Sequence, residues 1–169
     1  MAKTIFGKVR NSEKAIYTDP VGITADEVFS ARSLRPVVKA ATADTIALAA
    51  DGATEIMGFI EFVGTAGSTD GDDKAPIECS CMVSYEAPVV SASAVEIALT
   101  QEQIDEMIGC TCGVLEDSNI IYADTANTTA GQQVLIVTGG KAGAAGKASL
   151  YVRQNPNLLG QIEAPDAIA

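Results

Sequence analysis

The chain has 169 residues, of which 47% are hydrophobic and only 20% are charged, so it is long enough for one ordinary domain but short for two. Its net charge is −11 and it contains no histidine. Without histidine the chain cannot supply a Ser-His-Asp or Cys-His catalytic arrangement, and an acidic body is unsuited to neutralising nucleic-acid phosphates. Composition therefore points away from enzymes and nucleic-acid-binding proteins. It predicts a protein that hides much of a weakly charged surface in contacts.

The charges are unevenly distributed along the chain. Residues 1–39 hold seven basic and four acidic side chains, a net +3, whereas residues 40–169 hold four basic and eighteen acidic ones, a net −14. A basic leading segment on an acidic body predicts an arm that seeks a negative partner, although charges near a chain end are also common as plain solvated groups. No signal peptide and no bilayer-spanning run of roughly 18 apolar residues is visible, so we expect a protein made and kept in the cytosol or in something assembled there.

The predicted elements begin with an extended arm over residues 1–35, which is too weakly patterned to fold alone. Short runs rich in β-branched and aromatic residues follow at roughly ten-residue spacing, which is typical of a sandwich or barrel. Asp51-Gly52 is a candidate hairpin turn, because glycine accepts a positive φ without steric cost. No internal repeat of 20–50 residues is visible. The predicted strands cover residues 36–41, 45–49, 56–63, 75–85, 111–115, 119–123, 132–138 and 148–153.

One helix is predicted over residues 101–108. Thr100 can cap it, Gln103 three residues later completes a capping box, and Gly109 is suited to end it. Its apolar face consists of Ile104, Met107 and Ile108. The fold class is therefore mostly β: a small β-barrel or β-sandwich over residues 36–154 with one short helix, an extended amino-terminal arm and an extended tail over residues 155–169.

The four cysteines form two Cys-x-Cys pairs, Cys79/Cys81 and Cys110/Cys112. Residues two apart on a strand point to the same face, so each pair offers two thiols to one side. Three interpretations stay open: free buried thiols, a cross-strand disulfide, or a four-sulfur metal site, for which one-residue spacing is narrower than the usual knuckle.

Two loops resemble ligand-binding motifs but lack residues that those motifs require. A phosphate loop ending at Gly146-Lys147 would need glycine at position 141, which is lysine, and Ala148 stands where a hydroxyl residue would bind magnesium. A strand is predicted to follow, so a glycine-rich hairpin loop is expected there. Residues 70–73 carry three aspartates but lack the distal glutamate of a helix–loop–helix calcium site, which favours a solvated loop.

A stretch of about 25 residues resembles a known family. It runs Arg35-Pro36-Val37-Val38-Lys39-Ala40-Ala41-Thr42-Ala43-Asp44-Thr45-Ile46-Ala47-Leu48-Ala49, followed by Asp51-Gly52 and Ile56-Met57-Gly58-Phe59. This stretch is similar to the capsid decoration, or cement, proteins of tailed bacteriophages. The resemblance implies a small β-barrel or β-sandwich on the outside of an icosahedral shell, often as trimers at local three-fold positions, with no catalytic residues. The four cysteines, the helix and the long basic arm depart from the family's pattern.

The sequence thus predicts a non-enzymatic virion structural protein without a cofactor, on the capsid exterior, assembled in the host cytoplasm. Its expected partners are the major capsid protein and further copies of itself, a trimer being favoured, with no nucleic acid and no membrane. Alternatives are a phage tail-tube or head–tail connector component, and a metal-stabilised binding module that uses the four cysteines. Phe29 has an alternative interpretation, in which its side chain packs into the protein's own core. The predicted ionic contacts and apolar anchors of the arm are Lys3, Phe6, Lys8, Arg10, Phe29, Arg32 and Arg35.

Overall fold

The computed structural model of the protein describes residues 15–41, 44–91 and 93–156, and within them the chain is mostly β, as predicted. The strands are β1 Val21–Ile23, β2 Val28–Phe29, β3 Pro36–Lys39, β4 Thr45–Leu48, β5 Gly58–Ile60, β6 Gly64–Thr65, β7 Lys74–Ala75, β8 Ile77–Glu78, β9 Tyr85–Val90, β10 Thr111–Asp117, β11 Ile120–Asp124, β12 Leu135–Lys141 and β13 Ser149–Gln154, and the helix is α1 Gln101–Met107.

The last five strands form a closed barrel, which we call barrel 2, in the order β10-β11-β9-β13-β12. β9 and β11 run parallel, and the other neighbours in the ring are antiparallel. Alternate side chains such as Val114, Ala123 and Val152 point inward and are buried, as the period of two along a strand requires. The predicted small β-barrel is confirmed.

The earlier strands form a six-stranded sheet in the order β7-β1-β4-β3-β5-β8. Its two outermost strands are consecutive in the chain, because Pro76 alone separates β7 from β8. Residues 16–18 also lie along β8: Thr18 N donates to Ile77 O at 3.0 Å and Cys79 N to Ile16 O at 2.9 Å. The sheet therefore returns on itself through residues 74–79, and we call this second ring barrel 1.

Both rings have the same topology. In chain order the five strands are β1, β3, β4, β5 and the continuous pair β7–β8 in barrel 1, and β9 to β13 in barrel 2. In each ring the first strand pairs in parallel with the third. The other pairs are antiparallel: the third with the second, the second with the fourth, the fourth with the fifth and the fifth with the first. Barrel 1 surrounds the smaller of two hydrophobic clusters, and the larger one fills barrel 2 and extends to Leu34, Ile56 and Phe59. This structural repeat, residues 16–79 and 85–154, is longer than the 20–50-residue range in which the sequence shows no repeat.

The boundary of the predicted arm also changes. β1 pairs with β4 and β7, so residues 15–35 belong to barrel 1. The prediction that they form an extended arm was wrong. Backbone pairing across sequence-distant strands supplies the order that local patterning lacks. At the other end Asn155 is buried and donates its amide to Gln133 O at 2.8 Å, so it belongs to barrel 2. Residues 1–14 and 157–169 lie outside the described residues.

The helix was predicted well because its signals are local. Thr100 Oγ1 accepts from Gln103 N, and the Gln103 side chain accepts from Thr100 N, which is the expected capping box. Ile104 and Met107 are buried, and α1 packs against β12. The placement of Ile108 on the buried face was wrong: the helix ends at Met107, and 54% of Ile108 is exposed.

The structure corrects two of the predicted segments and confirms a third. Asp51-Gly52 is not a hairpin turn, because β4 and β5 both pair with β3 and not with each other. The single strand predicted over residues 75–85 is broken at Pro76 and again before Tyr85. The glycine-rich segment after β12 does join two antiparallel strands, as predicted.

Candidate partner-binding surface

The residues predicted to bind a partner fall into three groups in the structure. Lys3, Phe6, Lys8 and Arg10 lie outside the described residues. Of the other three, two are buried within the protein and one is exposed. The structure therefore does not bring the predicted set together on one surface.

Phe29 and Arg35 are buried, so neither is available to a partner. Phe29 lies on β2 and packs edge-to-face on Phe62 with ring centroids 5.5 Å apart, which places it in the core of barrel 1. Its alternative interpretation, packing into the protein's own core, is the one the structure shows. Arg35 donates from Nε to Ile60 O at 3.1 Å, and from Nη1 to the carbonyl oxygens of Ser30 and Ser33 at 3.3 Å.

Arg35 was predicted as a surface contact because nothing local in the sequence marks it as buried. Loss of water around its guanidinium lowers the pKa of Arg35, and the nearby carboxylate of Glu61 opposes that shift. A buried cation of this kind stabilises only when hydrogen bonds replace its water, which the three carbonyl oxygens do. Its role is to join the segment before β3 to β5.

Arg32 is the one predicted contact that the structure leaves on the surface. Its guanidinium lies 3.6 Å from a carboxylate oxygen of Glu96, and 60% of its side chain is exposed. This ion pair crosses from barrel 1 to the loop after β9, and exposed pairs of this type contribute about 0–1 kcal/mol. Arg32 can therefore exchange Glu96 for a partner's carboxylate at little cost.

Sequence reasoning missed an apolar surface where the described chain begins, which we call the rim. The rim comprises residues 16–18, β8 beside them and residues 79–82, which follow β8. Ile16 and Tyr17 are held there by backbone pairing with residues 77–79, and Tyr17 Oη donates to Glu61 Oε1 at 3.1 Å. Even so, 63% of Ile16 and 49% of Met82 remain exposed. Exposed apolar side chains on an ordered backbone are candidates for contact with a partner.

The charge separation seen in the sequence becomes sharper once the arm boundary is corrected. Residues 15–156 carry seven basic and nineteen acidic side chains, a net −12. Residues 1–14, which join the rim at Ala15, carry four basic side chains and one acidic one, a net +3. A basic segment is thus attached at an apolar rim on an acidic body.

The four cysteines are free thiols that lie in two environments. Cys110 and Cys112 are buried in barrel 2, and loss of water raises the pKa of both thiols. Cys79 and Cys81 are half-buried at the rim, and Cys81 Sγ lies 3.4 Å from Gln154 Oε1. Burial raises the pKa of Cys81 as well, with the Glu78 carboxylate adding to the shift. A raised pKa keeps a thiol protonated and slow to react.

A four-cysteine metal site is not assembled. Within residues 15–41, 44–91 and 93–156 no three cysteine, aspartate or glutamate side chains converge closely enough to hold a metal ion. The acidic loop uses its carboxylates internally instead: Asp70 Oδ1 accepts from Ala25 N at 2.8 Å and Asp73 Oδ2 from Gly67 N at 2.9 Å. In the described part of the chain, no helix is long and apolar enough to cross a membrane.

One cavity opens at an end of barrel 1. It measures about 230 Å³ and is lined by Val21, Lys39, Asp44, Thr45, Ile46 and Met57. Its floor is apolar, and at its edge Lys39 Nζ pairs with Asp44 Oδ1 at 3.3 Å. Among the described residues this cavity, which we call the mouth of barrel 1, presents no arrangement of a nucleophile beside a base.

Three comparisons with known proteins found no match. Neither a protein-family model, nor a curated protein, nor a solved structure matches it. The functional argument therefore depends on the residues and on their geometry.

Proposed function

We propose that the chain is a virion structural protein that binds the outside of a phage capsid shell and reinforces it. The observation that carries the proposal is the attachment of the basic residues 1–14 to the apolar rim of an acidic double barrel. An adhesive protein needs such a combination, because ionic contacts orient and accelerate docking while buried apolar contacts supply most of the affinity.

The stretch that resembles decoration proteins supports the proposal through its position. Its described residues supply β3, β4 and the start of β5, which lie at the centre of barrel 1, where β3 pairs with both β4 and β5. Gly58 within that stretch has a φ of +150°, and a Cβ there would overlap the carbonyl oxygen of Glu78. The glycine of the resembling stretch is therefore required by the close approach of β5 to β8.

In this proposal the major capsid protein is the partner, and it presents acidic groups to Lys3, Lys8 and Arg10 and an apolar site to Phe6. Arg32 adds a contact from the body. Many weak contacts repeated over a shell multiply one another's effect, so modest affinity per copy suffices. Catalysis has no part in the proposed function.

A binding assay with preformed phage shells that lack their decoration protein tests the proposal. The full chain should bind saturably, raise the temperature at which the shells release their contents, and bind less tightly as salt rises. Deletion of residues 2–14 should weaken binding by about tenfold or more, whereas the matched deletion of residues 157–169 should change it less. Deletion of the whole predicted arm, residues 1–35, is unsuitable because it removes β1 and β2.

Charge variants sharpen the test. Replacing Lys3, Lys8 and Arg10 by glutamine should slow association and flatten the salt dependence, while the exposed Lys74→Gln control should do neither. Absence of saturable binding would refute the proposal. Assembly of the chain alone into hollow tubes would favour a tail-tube protein, and zinc that survives dialysis and whose removal unfolds the chain would favour a metal-stabilised module.

A further inference from the structure

The two Cys-x-Cys pairs have the same spacing but different backbone geometry. Cys112 lies on β10 and pairs with Leu135, and the carbonyl oxygen of Cys110 accepts from Val137 N at 2.9 Å, so this pair follows the extended path of the strand. Cα atoms two residues apart on a strand are separated by about 6.4–6.8 Å, which is the upper limit of the separation that a disulfide spans. The pair in barrel 2 is therefore poorly placed for a disulfide between its own two sulfurs.

Cys79 and Cys81 lie on a turn instead, in the segment that connects barrel 1 to barrel 2. Cys81 has a φ of +55°, which rotates its side chain about the N–Cα bond away from the position that a strand would give it. Its sulfur lies 3.9 Å from the carbonyl oxygen of Cys79. Burial, the Glu78 carboxylate and the Cys79 thiol together raise the pKa of Cys81, so the two thiols are electrostatic neighbours. A left-handed backbone is costly for a residue with a Cβ, and such strain is concentrated at functional sites.

Side-chain hydrogen bonds hold this turn in place. The buried Glu78 carboxylate accepts from Ser80 N at 2.8 Å and from the Ser80 hydroxyl, and Ser80 Oγ accepts from Met82 N at 3.3 Å. The segment that carries both thiols is thus ordered before any bond forms between them. Closing a small ring across Ser80 therefore costs less conformational entropy than it would in an open chain.

Access also separates the two pairs. Cys79 and Cys81 are half-buried at the rim, whereas Cys110 is 7% exposed and Cys112 is 0% exposed. A reagent dissolved in water can therefore reach the first pair and is kept from the second.

The present contacts of the rim thiols are weak ones. Cys79 Sγ lies 3.5 Å from Ile16 O, and Cys81 Sγ lies 3.4 Å from Gln154 Oε1 at the end of β13. Because a thiol is a weak hydrogen-bond donor, both sulfurs can leave these partners at little cost.

We propose that Cys79 and Cys81 form a reversible disulfide with each other by exchange with a small disulfide such as glutathione disulfide, while Cys110 and Cys112 stay reduced. The Cys79 thiolate attacks one sulfur of the small disulfide and releases one small thiol. The Cys81 thiolate then attacks the Cys79 sulfur, the bond between the protein and the small molecule breaks, and a second small thiol leaves. Two protein thiols are oxidised, one small disulfide is reduced to two thiols, and the two protons pass to the leaving thiolates.

The second step decides whether the ring closes. The raised pKa of Cys81 slows its attack, because only the thiolate is a nucleophile. The attack is intramolecular, however, so the high effective concentration of the Cys79 sulfur offsets the small thiolate fraction. The product exchanges the contact of Cys81 with Gln154 in barrel 2 for a bond within the connection between the barrels.

Mass spectrometry of the full-length chain tests the proposal. The reduced protein is incubated with glutathione disulfide at mildly alkaline pH and quenched with acid, and its remaining thiols are alkylated under denaturing conditions. Cleavage after glutamate then yields residues 79–86 and residues 107–116, each with one Cys-x-Cys pair. The first peptide should lose two hydrogen atoms, and escape alkylation, at least about tenfold faster than the second. Dithiothreitol should reverse the change.

Single variants separate ring closure from simple glutathione addition. Cys79→Ser and Cys81→Ser should each stop at a glutathione adduct on the remaining rim cysteine, whereas the control Cys110→Ser should form the disulfide as the unaltered chain does. The inference is overturned if residues 79–86 stay reduced, carry glutathione on both cysteines or link two chains, or if residues 107–116 are oxidised as fast. The two peptides of the unaltered chain decide the question even where a variant does not fold. No shell is present in this experiment, so its failure leaves the proposed shell binding untouched.

Discussion

Barrel 1 and barrel 2 share one ring of strand pairings but are filled by different means. In barrel 1 the connection between the first two strands carries Phe29 into the core beside Phe62. In barrel 2 the same connection is longer and contains α1, which contributes Ile104 and Met107. The ring is set by backbone hydrogen bonds, which are indifferent to side-chain identity, so the filling can change while the topology stays.

The two barrels also differ in the surface features that they carry. Barrel 1 carries the rim, the mouth and the attachment of the basic residues 1–14, whereas barrel 2 has the larger hydrophobic cluster and an exposed Ile108 side chain. The features on which the proposed function depends therefore lie where the two copies of the fold differ. Experiments that perturb one barrel and spare the other test this division.

The largest expected effect is loss of the Phe29 side chain. Phe29→Ala should lower the free energy of unfolding by about 3–5 kcal/mol, because it leaves a cavity in the small core of barrel 1. Urea denaturation measures the loss, and amide hydrogen exchange should show protection falling first at Val37, Ile46 and Ile60. The control Ile16→Ala, at an exposed position, should change stability by less than about 0.5 kcal/mol. Equal loss of protection in both barrels would mean that they unfold as one unit.

The second effect concerns a glycine that only barrel 1 needs. Gly58 pairs with Val37 in barrel 1. The equivalent pair in barrel 2 is Leu135 with Cys112, so leucine stands there in the place of the glycine. Gly58→Ala should lower the free energy of unfolding by about 2–4 kcal/mol, since it adds an overlap with Glu78 O to an unfavourable φ. Gly71→Ala has a positive φ but open space around the Cβ, so it should cost only about 1–2 kcal/mol. Thermal unfolding of both variants checks the order, and equal losses would refute the role of the overlap.

The sequence predicted the local elements of the fold but not the closure of barrel 1 or the repeat. The capping box of α1 and the β-branched strands are local signals, and they predicted the helix and most of the β structure. Closure of barrel 1 depends on residues 16–18 meeting residues 77–79, sixty residues away, which no local pattern encodes. The repeat stayed hidden because equivalent interior positions hold different residues, such as Ile46 and Ala123.

The candidate surface was less predictable than the fold. Arg35 is satisfied by carbonyl oxygens, and carbonyl groups leave no mark in a sequence. Ile108 was assigned to the helix face by its spacing, but the helix ends one residue earlier and turns it outward. Arg32 alone stays a surface candidate among the predicted contacts that the structure describes.

A third, smaller effect tests the junction between the barrels. Ser33→Ala removes a buried hydroxyl that accepts from Ile121 N, leaving that N–H without its partner, and should cost about 1–3 kcal/mol. Ser68→Ala, at an exposed position, should be nearly neutral. Measured by hydrogen exchange, the loss should appear at the start of β11 in barrel 2 although the substitution lies in barrel 1. Loss confined to barrel 1 would show that the junction does not couple them.

The smallest expected effect is a pH dependence carried by barrel 2. Asp124 is buried at the end of β11, and loss of water raises the pKa of its carboxyl group, while backbone N–H donors such as Ala126 N at 3.1 Å oppose the shift. A carboxyl whose folded-state pKa is raised contributes stability that is present at low pH and lost as pH rises through that pKa. Asp124→Asn keeps an oxygen for Ala126 N and carries no charge. It should therefore be more stable than the unaltered chain near neutral pH, and the difference should vanish as pH falls below the ordinary aspartate pKa of 3.8. Urea denaturation at pH 7 and at the lowest pH where both proteins stay folded measures this, and a gap that widens on acidification would show that the buried charge stabilises barrel 2.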